Sequence, residues 1–478
     1  MALGKVQDWL TQHEKESVAR LVDWLRIASI STDPAYREEV RRAAQWAAQR
    51  LEEVALQVEI METGDPPGSG HPIVLASTPN VHDEGAGPHV LFYGHYDVQP
   101  TDPEELWESP PFEPVIRPAE PGGPGERIVA RGACDDKGQV MTFLEALRAW
   151  HEADGTPAGG VRFTVLLEGE EESGSVNLER FVAQQRDRLA ACDVCLISDT
   201  SMLGRNRPAI TYGVRGLCYT EITLHGPNRD LHSGLWGGRC PNPINELCKV
   251  LSQLWDEQRR ITIPGFYDKV LPLEEREREA WKNLGIDPAQ ALAEIGLPPE
   301  ADIGEEGYSA TEREWARPAC DINGIKGGYQ GEGAKTVIPS HASAKVSFRL
   351  VADQDPREVC EAFFDWLRQR TPPGCRWDLH DHGGGPPATV STDSPYLDAA
   401  LRALKAASGT EAALIKTGGS IPVAGMLKQQ LGLETIFMGF GLDDDRVHSP
   451  NEKFELDCFR LGCRAHAAMI EELRAMGS

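Results

Sequence analysis

Five stretches of this sequence deliver a histidine or a group of carboxylates just where an apolar run ends. In "VLFYGHYDVQP", four apolar or aromatic residues lead into Gly94, His95, Tyr96 and Asp97. Side chains two apart on a strand share a face, so His95 and Asp97 point the same way where the strand leaves the core. "GACDDKG" brings Asp135 and Asp136, and "VRFTVLLEGEEESGS" ends in Glu170, Glu171 and Glu172. "DVCLIS" is followed by Asp199, and "TIFMGFGLDDDRV" by His448. Each has an ordinary structural alternative. His95 satisfied by Asp97 in a turn, Asp136 capping a helix, a solvated glutamate run, Asp199 in a turn and His448 on the surface would all be unremarked alone. All five lie at strand ends, and in open α/β sheets sites form at the carboxyl ends of the strands.

The chemistry those residue types support is metal binding. Two histidines and several carboxylates are hard-to-borderline donors that suit Zn²⁺, Mn²⁺ or Co²⁺. Two unit charges about 4 Å apart repel by roughly 4 kcal/mol at an effective dielectric near 20, so converging carboxylates need solvent or cations. There are too many for one tetrahedral zinc. Two ions about 3.5–4 Å apart, sharing a carboxylate and a water, would absorb them. One carboxylate is then left as general base, and consecutive Glu171 and Glu172 suit a division between metal and proton.

The elements that must position these residues follow from the patterning. Apolar residues at helical spacing predict helices in 6–29 and 36–56, and then strands and helices alternate: 89–98, 138–153, 161–172, 178–189 and 193–199. This predicts an α/β sheet covered by helices. Near Tyr212 the texture changes to an α+β pattern, with strands at 217–226, 341–351 and 375–382 and helices at 242–258 and 356–370. A charged, partly helical segment at 264–318 carries no readable motif. After about 387 the α/β pattern returns, with a helix at 396–407, the glycine-rich "KTGGSIP", the strand "LETIFMGFG" and a closing helix. The expected organisation is one domain of residues 1–213 and 387–478, interrupted by a second at 214–386.

Composition narrows the partners. The chain has 478 residues, 40% hydrophobic and 26% charged, enough for two or three domains with a large core. Its net charge of −26 disfavours nucleic acid and anionic membrane. Neither a membrane-span-length apolar run nor a signal core is read in it. The odd count of 11 scattered cysteines fits reduced thiols and a cytoplasmic location. Cys192 and Cys195 form a lone CxxC, read as packing cysteines with redox chemistry as the alternative.

Taken in order, "GHYDV", "GACDDKG", "EGEEESGS", "LISD" and "HSPNEKFEL" resemble the dinuclear zinc metallopeptidases of the carnosinase and aminoacylase type, and most of all the cytosolic non-specific dipeptidase branch. "RDLHSGLWGG", "GAKTVIP", "SFRLV" and "GGSIPV" extend the likeness over nearly the whole chain. The resemblance implies a zinc-exopeptidase type catalytic domain with an inserted two-layer α+β lid and dimerisation domain. It implies two Zn²⁺ per subunit, with Mn²⁺ or Co²⁺ as alternatives. His95 and Asp199 resemble the ligands of one metal, Glu172 and His448 those of the other, and Asp135 the bridge, joined to Asp136 by a cis peptide. Asp97 resembles the carboxylate that orients His95, and Glu171 the general base and acid. His232 resembles an oxyanion donor that reaches another subunit's site in a homodimer. Arg349 and Thr336 resemble binders of the substrate's terminal carboxylate, and Gly419 and Ser420 a loop lying against the substrate.

One departure stands out. Lys416 and Thr417 occupy positions where this branch commonly has Arg-Glu, so a carboxylate suited to a free α-amino group is missing. The expected function is hydrolysis of the amide bond of dipeptides with a free C-terminal carboxylate. An N-acyl or N-carbamoyl amino acid amidohydrolase on the same site is the alternative. A non-catalytic metal-binding homologue is a more distant one, disfavoured by the spare carboxylate of Glu171.

Overall fold

The computed structural model describes residues 2–83, 87–119 and 125–477. The chain divides into two compact units. One is Met1–Tyr212 with Val390–Ile415 and Leu427–Ser478; the other is Gly213–Thr389 with Lys416–Met426.

In the first unit, the central sheet has the spatial order Gln57–Met61, Ile73–Ser77, Arg162–Glu168, His89–His95, Val194–Ile197, Thr435–Phe437 and Ala209–Val214. The four strands from Arg162–Glu168 to Thr435–Phe437 are parallel, so their carboxyl ends emerge at one edge. The flanking strands are antiparallel, which makes the α/β sheet mixed. Every residue of His89–His95 is buried. A strand covered on both faces reads as a continuous apolar run, as this one does. Helix Lys137–Asp154 packs against Leu456–Met476, and Arg37–Glu52 packs against Gln57–Met61 and Ile73–Ser77. Phe92 of the sheet stacks on Phe143 of the first of these helices, ring centroids 3.8 Å apart. A small antiparallel sheet joins Val115–Pro118, Glu126–Val129 and Lys453–Glu455. It ties the chain just after His448 to the chain just before Asp135.

The second unit holds a four-stranded antiparallel sheet in the order Ala319–Gly327, His341–Leu350, Gly216–His225 and Arg376–Gly385. Burial alternates along Gly216–His225, as expected of a strand covered on one face. Helices Pro243–Leu251 and Pro356–Arg368 close that face over Ile222, Leu224, Val346, Phe348, Phe363 and Trp366. The segment 264–318 forms helices Glu275–Lys282, Pro288–Glu294 and Ala310–Ala316. It is knit by Arg317, which forks onto Glu305 with two hydrogen bonds of 2.7 Å, and by a capping box of Ser309 and Glu312.

Several expectations shift at the level of elements. The first helical region breaks at His13, and 178–189 breaks at Gln185. The helix expected over 242–258 ends at Leu251. There Asp256 Oδ1 accepts the backbone N–H groups of Gln258 (3.0 Å) and Arg260 (2.8 Å), a local turn that helical periodicity does not reveal. The stretch Lys416–Met426, expected with the flanking domain, belongs with the second unit. Arg215 draws it there, its backbone N–H donating to Gly419 O and its Nε to Gly418 O, each at 3.0 Å.

All eleven cysteines are free thiols. Burial pushes the Cys192 thiol up to about 12 and raises that of Cys195 as well, which suits packing and not redox exchange. Among the described residues no helix is long and apolar enough to cross a membrane.

Candidate metal centre

The parallel strands of the first unit carry His95, Glu172 and Asp199 to one place, while Asp135 arrives from the small antiparallel sheet and His448 from the loop that leads back into it. His95 closes its strand, fully buried, with Nε2 3.0 Å from Asp135 Oδ1 and 3.7 Å from Asp199 Oδ2. His448 Nε2 lies 2.9 Å from Asp135 Oδ2 and 3.3 Å from Glu172 Oε2. These contacts make two groups of donors, His95–Asp135–Asp199 and Asp135–Glu172–His448. Asp135 belongs to both, facing one imidazole with each oxygen. The peptide between Asp135 and Asp136 is cis.

The electrostatics are those of an anionic cage. Burial alone would lower the His95 imidazole, but the carboxylates of Asp135, Asp199 and Asp97 hold it well above its ordinary value. Asp135 and Glu172 hold His448 up at about 10. Burial raises the carboxyls of Glu172 and Asp199, and the neighbouring Asp135 charge raises them further. Asp135 is held well below its usual range, because the two imidazoles outweigh its burial. His95 Nε2 is a buried polar atom with no aligned hydrogen-bond partner, although two carboxylates lie in front of it. A buried donor atom left in this way is costly unless something else satisfies it. The donor set of two imidazoles and three carboxylates fits divalent cations of the zinc type.

The surrounding side chains fix these groups. Asp97 is fully buried, with Oδ1 3.4 Å from His95 Nδ1, while Oδ2 accepts the backbone N–H of Glu172 at 3.0 Å. One carboxylate therefore steadies residues of both donor groups. Asp136 does not cap the helix it precedes; its Oδ2 accepts the His95 N–H at 3.2 Å instead. The glutamate run separates by partner. Glu170 accepts from the backbone N–H of His71 (2.8 Å) and from Asn177, so it braces the loop. Glu172 accepts from Gln99 Nε2 at 2.7 Å. Glu171 lies half-buried between them, and burial pushes its carboxyl well above the usual range. His95 opposes that rise, while Asp199, Glu172 and Asp135 add to it.

The sequence reading missed Glu452. It is fully buried and accepts the backbone N–H groups of Gly132 (2.9 Å), Cys134 (2.9 Å) and Asp135 (3.0 Å), and Arg131 Nη1 at 2.9 Å. It stands four residues after His448, so one carboxylate locks the Asp135 loop to the His448 loop. The only local hint was its place in the "HSPNEKFEL" stretch. Gly138 matters for the same loop: a Cβ there would come within 1.8 Å of Ala133 O, so the helix can start directly beneath the turn only with glycine.

The second unit holds the other residues singled out. His232 is exposed, on the short ladder Leu231–His232 with Val337–Ile338. Its Nδ1 accepts from Gly234 N–H at 3.0 Å, which puts the proton of the neutral ring on Nε2. Thr336 is beside it, its carbonyl accepting the Ser233 N–H at 3.1 Å. Arg349 Nη1 donates to Ser420 Oγ at 2.7 Å, and Gly419 N–H donates to Thr417 Oγ1 at 3.2 Å.

Residues 91–472 match the profile of peptidase family M20/M25/M40. The chain belongs to this family. Among M20 relatives it is similar to the Cys-Gly metallodipeptidase DUG1 of Candida albicans, with 31% identity over 97% of this chain and 96% of that protein. It is also similar to the human Beta-Ala-His dipeptidase, with 30% identity over 98% of this chain and 92% of that one. Among solved structures, the M20 family metallo-carboxypeptidase Sso-CP2 from Sulfolobus solfataricus superposes with a TM-score of 0.81 at 31% identity, covering 96% of this chain and 99% of that one.

Proposed function

We propose that this chain is a dinuclear metallodipeptidase that cleaves the amide bond of dipeptides bearing a free C-terminal carboxylate. The observation that carries the reading is Asp135, whose two oxygens each face one imidazole inside a cage of carboxylates. His95, Asp199 and Asp135 would hold one divalent ion and Glu172, His448 and Asp135 a second, with zinc as the fitting metal and manganese or cobalt as alternatives. When bound, such ions supply Lewis acidity, making water nucleophilic at neutral pH and polarising the scissile carbonyl.

The chain's own residues then divide the work. Glu171, with its raised carboxyl, takes a proton from the attacking water and returns it to the leaving amine. Asp97 keeps His95 oriented. Arg349 offers the planar fork that suits the substrate's carboxylate, supported by Thr336, Gly419 and Ser420. His232 presents an Nε2–H donor for the developing oxyanion. We assign it to the partner subunit's site in a homodimer paired through the inserted domain. The free thiols fit a reducing, cytoplasmic setting. The relatives named dipeptidases favour this reading over an N-acyl or N-carbamoyl amidohydrolase.

A substrate panel tests it. Dipeptides, N-acetyl amino acids and N-carbamoyl amino acids are each assayed with Zn²⁺, Mn²⁺ and Co²⁺. Dipeptides are expected to have the highest kcat/KM, and a preference for either N-blocked class would overturn the assignment. The role of His232 has its own test. His232→Ala chains are mixed with Glu171→Gln chains under conditions of subunit exchange. In a mixed dimer one site keeps its Glu171 and borrows an intact His232. Random pairing makes about half the dimers mixed, so activity should approach about a quarter of wild type. Activity no higher than that of the separate variants would place His232 in its own subunit's site.

A further inference from the structure

The segment 264–318, which carries no readable motif, meets the glycine loop that runs from Lys416 to Ser420. Lys416 Nζ lies 3.0 Å from Glu277 Oε1 and 5.3 Å over the ring of Trp281, both on helix Glu275–Lys282. Trp281 is only 3% exposed and meets Trp315 edge to face at 5.3 Å. The stem of Lys416 passes close to Gly213, where a Cβ would come within 3.0 Å of Lys416 Cγ. Two residues on, a Cβ at Gly418 would lie 2.7 Å from Arg215 Nη2 and 3.0 Å from Glu314 Cγ. Glu314 belongs to helix Ala310–Ala316, and Arg278 Nη1 joins that helix to Glu275–Lys282 through Glu312 at 2.7 Å. The loop is thus gripped at Lys416 by one helix of the segment and at Gly418 by Arg215 and the other. At its far end Ser420 Oγ accepts from Arg349.

We propose that the segment 264–318 is a strut that sets the position of the Lys416–Ser420 loop, and that Lys416 and Glu277 are positioning residues controlling affinity for the substrate's carboxylate end. This rests on the reading of Arg349 and Ser420 as binders of that carboxylate. Hydrogen bonds weaken steeply with misalignment, so a loop that drifts loses its grip on the ligand. Such a grip is the same in the bound substrate and the transition state, and its loss raises KM while leaving kcat. The ammonium of Lys416 is directed to a carboxylate and an indole, so its part in binding is indirect.

The test compares the full-length, metal-loaded enzyme with Lys416→Met, Glu277→Gln, the double variant and the exchanged pair Lys416→Glu with Glu277→Lys. The substrates are alanylalanine and its C-terminal amide. Either single variant should raise KM for alanylalanine about fivefold, the scale of a partly buried ion pair with a cation–π contact. The double variant should be no worse than Lys416→Met, since that single already removes the ion pair together with the cation–π contact. Turnover should stay within about twofold. The preference for the dipeptide over its amide should fall, and hydrogen exchange of the 417–420 amides should quicken. The exchanged pair remakes the ion pair but not the cation–π contact, so it should recover part of both KM and exchange, which keeps the proposal falsifiable if a single variant folds poorly. Unchanged KM and exchange in all of these, with Arg349→Met still raising KM, would overturn the strut. If instead Arg349→Met leaves the dipeptide-over-amide preference unchanged, the carboxylate reading fails, and hydrogen exchange still reports separately on the strut.

Discussion

Glu171→Gln is expected to retain its metal content and lose at least about 10²-fold in kcat, the usual scale for a missing general base. Glutamine keeps the shape and a carbonyl oxygen but cannot accept and return a proton. The neighbouring side chains single out Glu171 for that task. Glu170 is spent on His71 and Asn177, and Glu172 is anchored through its backbone by Asp97 and through its carboxylate by Gln99. Glu171 is half-buried, with a carboxyl raised first by burial and then by Asp199, Glu172 and Asp135, the setting that brings a carboxyl toward the pH at which it must work. Glu172→Gln should behave differently and lose bound metal. The pair of variants is read by metal analysis and single-substrate kinetics. Exchange of the two phenotypes would move the assignment by one residue, and near-wild-type turnover in Glu171→Gln would remove the general base from the mechanism.

The second large effect is expected at Asp135. It is common to both donor groups, so Asp135→Ala should strip both ions where Glu172→Gln affects one. Loss of an outer partner of a metal ligand already costs about 10–100-fold in metal affinity, and loss of a shared ligand should exceed that at each site. Protein purified without chelator should approach two equivalents of metal per chain. Asp135→Ala should retain well under one and have no measurable dipeptide hydrolysis. Asp135→Asn serves as the shape-preserving control: a folded protein with the same loss attributes the effect to the charge. A fully active enzyme with a single equivalent would sink the two-ion reading.

Glu452→Gln would be the companion variant for the loop itself, because the side chain acts only through the backbone of residues 132–135 and through Arg131. Its acceptors receive hydrogen bonds from groups up to 321 residues away in the chain. No periodicity or neighbouring residue in the sequence encodes a contact of that kind. The same holds for the second task of Asp97. That His95 and Asp97 share a face follows from strand alternation, whereas the grip of Asp97 on the Glu172 backbone depends on two strands lying side by side.

What the sequence by itself determined is the α/β class and the candidate donors His95, Asp135, Glu172, Asp199 and His448, which the structure brings together in two groups. Buried parallel strands must be apolar along their length, so a polar residue at the end of such a run is conspicuous, as His95, Glu172 and Asp199 are. Asp135 instead follows a strand of the small antiparallel sheet, and His448 lies in the loop between Thr435–Phe437 and that same sheet. The sequence also showed the inserted α+β unit, because a strand covered on one face alternates and one covered on both does not. Only the tertiary structure showed that Glu170 braces the loop through His71 and Asn177, since three consecutive residues of one type differ only in their partners. It also decided that Lys416–Met426 joins the second unit and that Lys416 turns to Glu277 and Trp281. Local patterning records which face of an element is buried; what that face meets, as when Lys416 meets Glu277 and Trp281, is set by residues distant in the sequence, and those contacts exist only once the chain has folded.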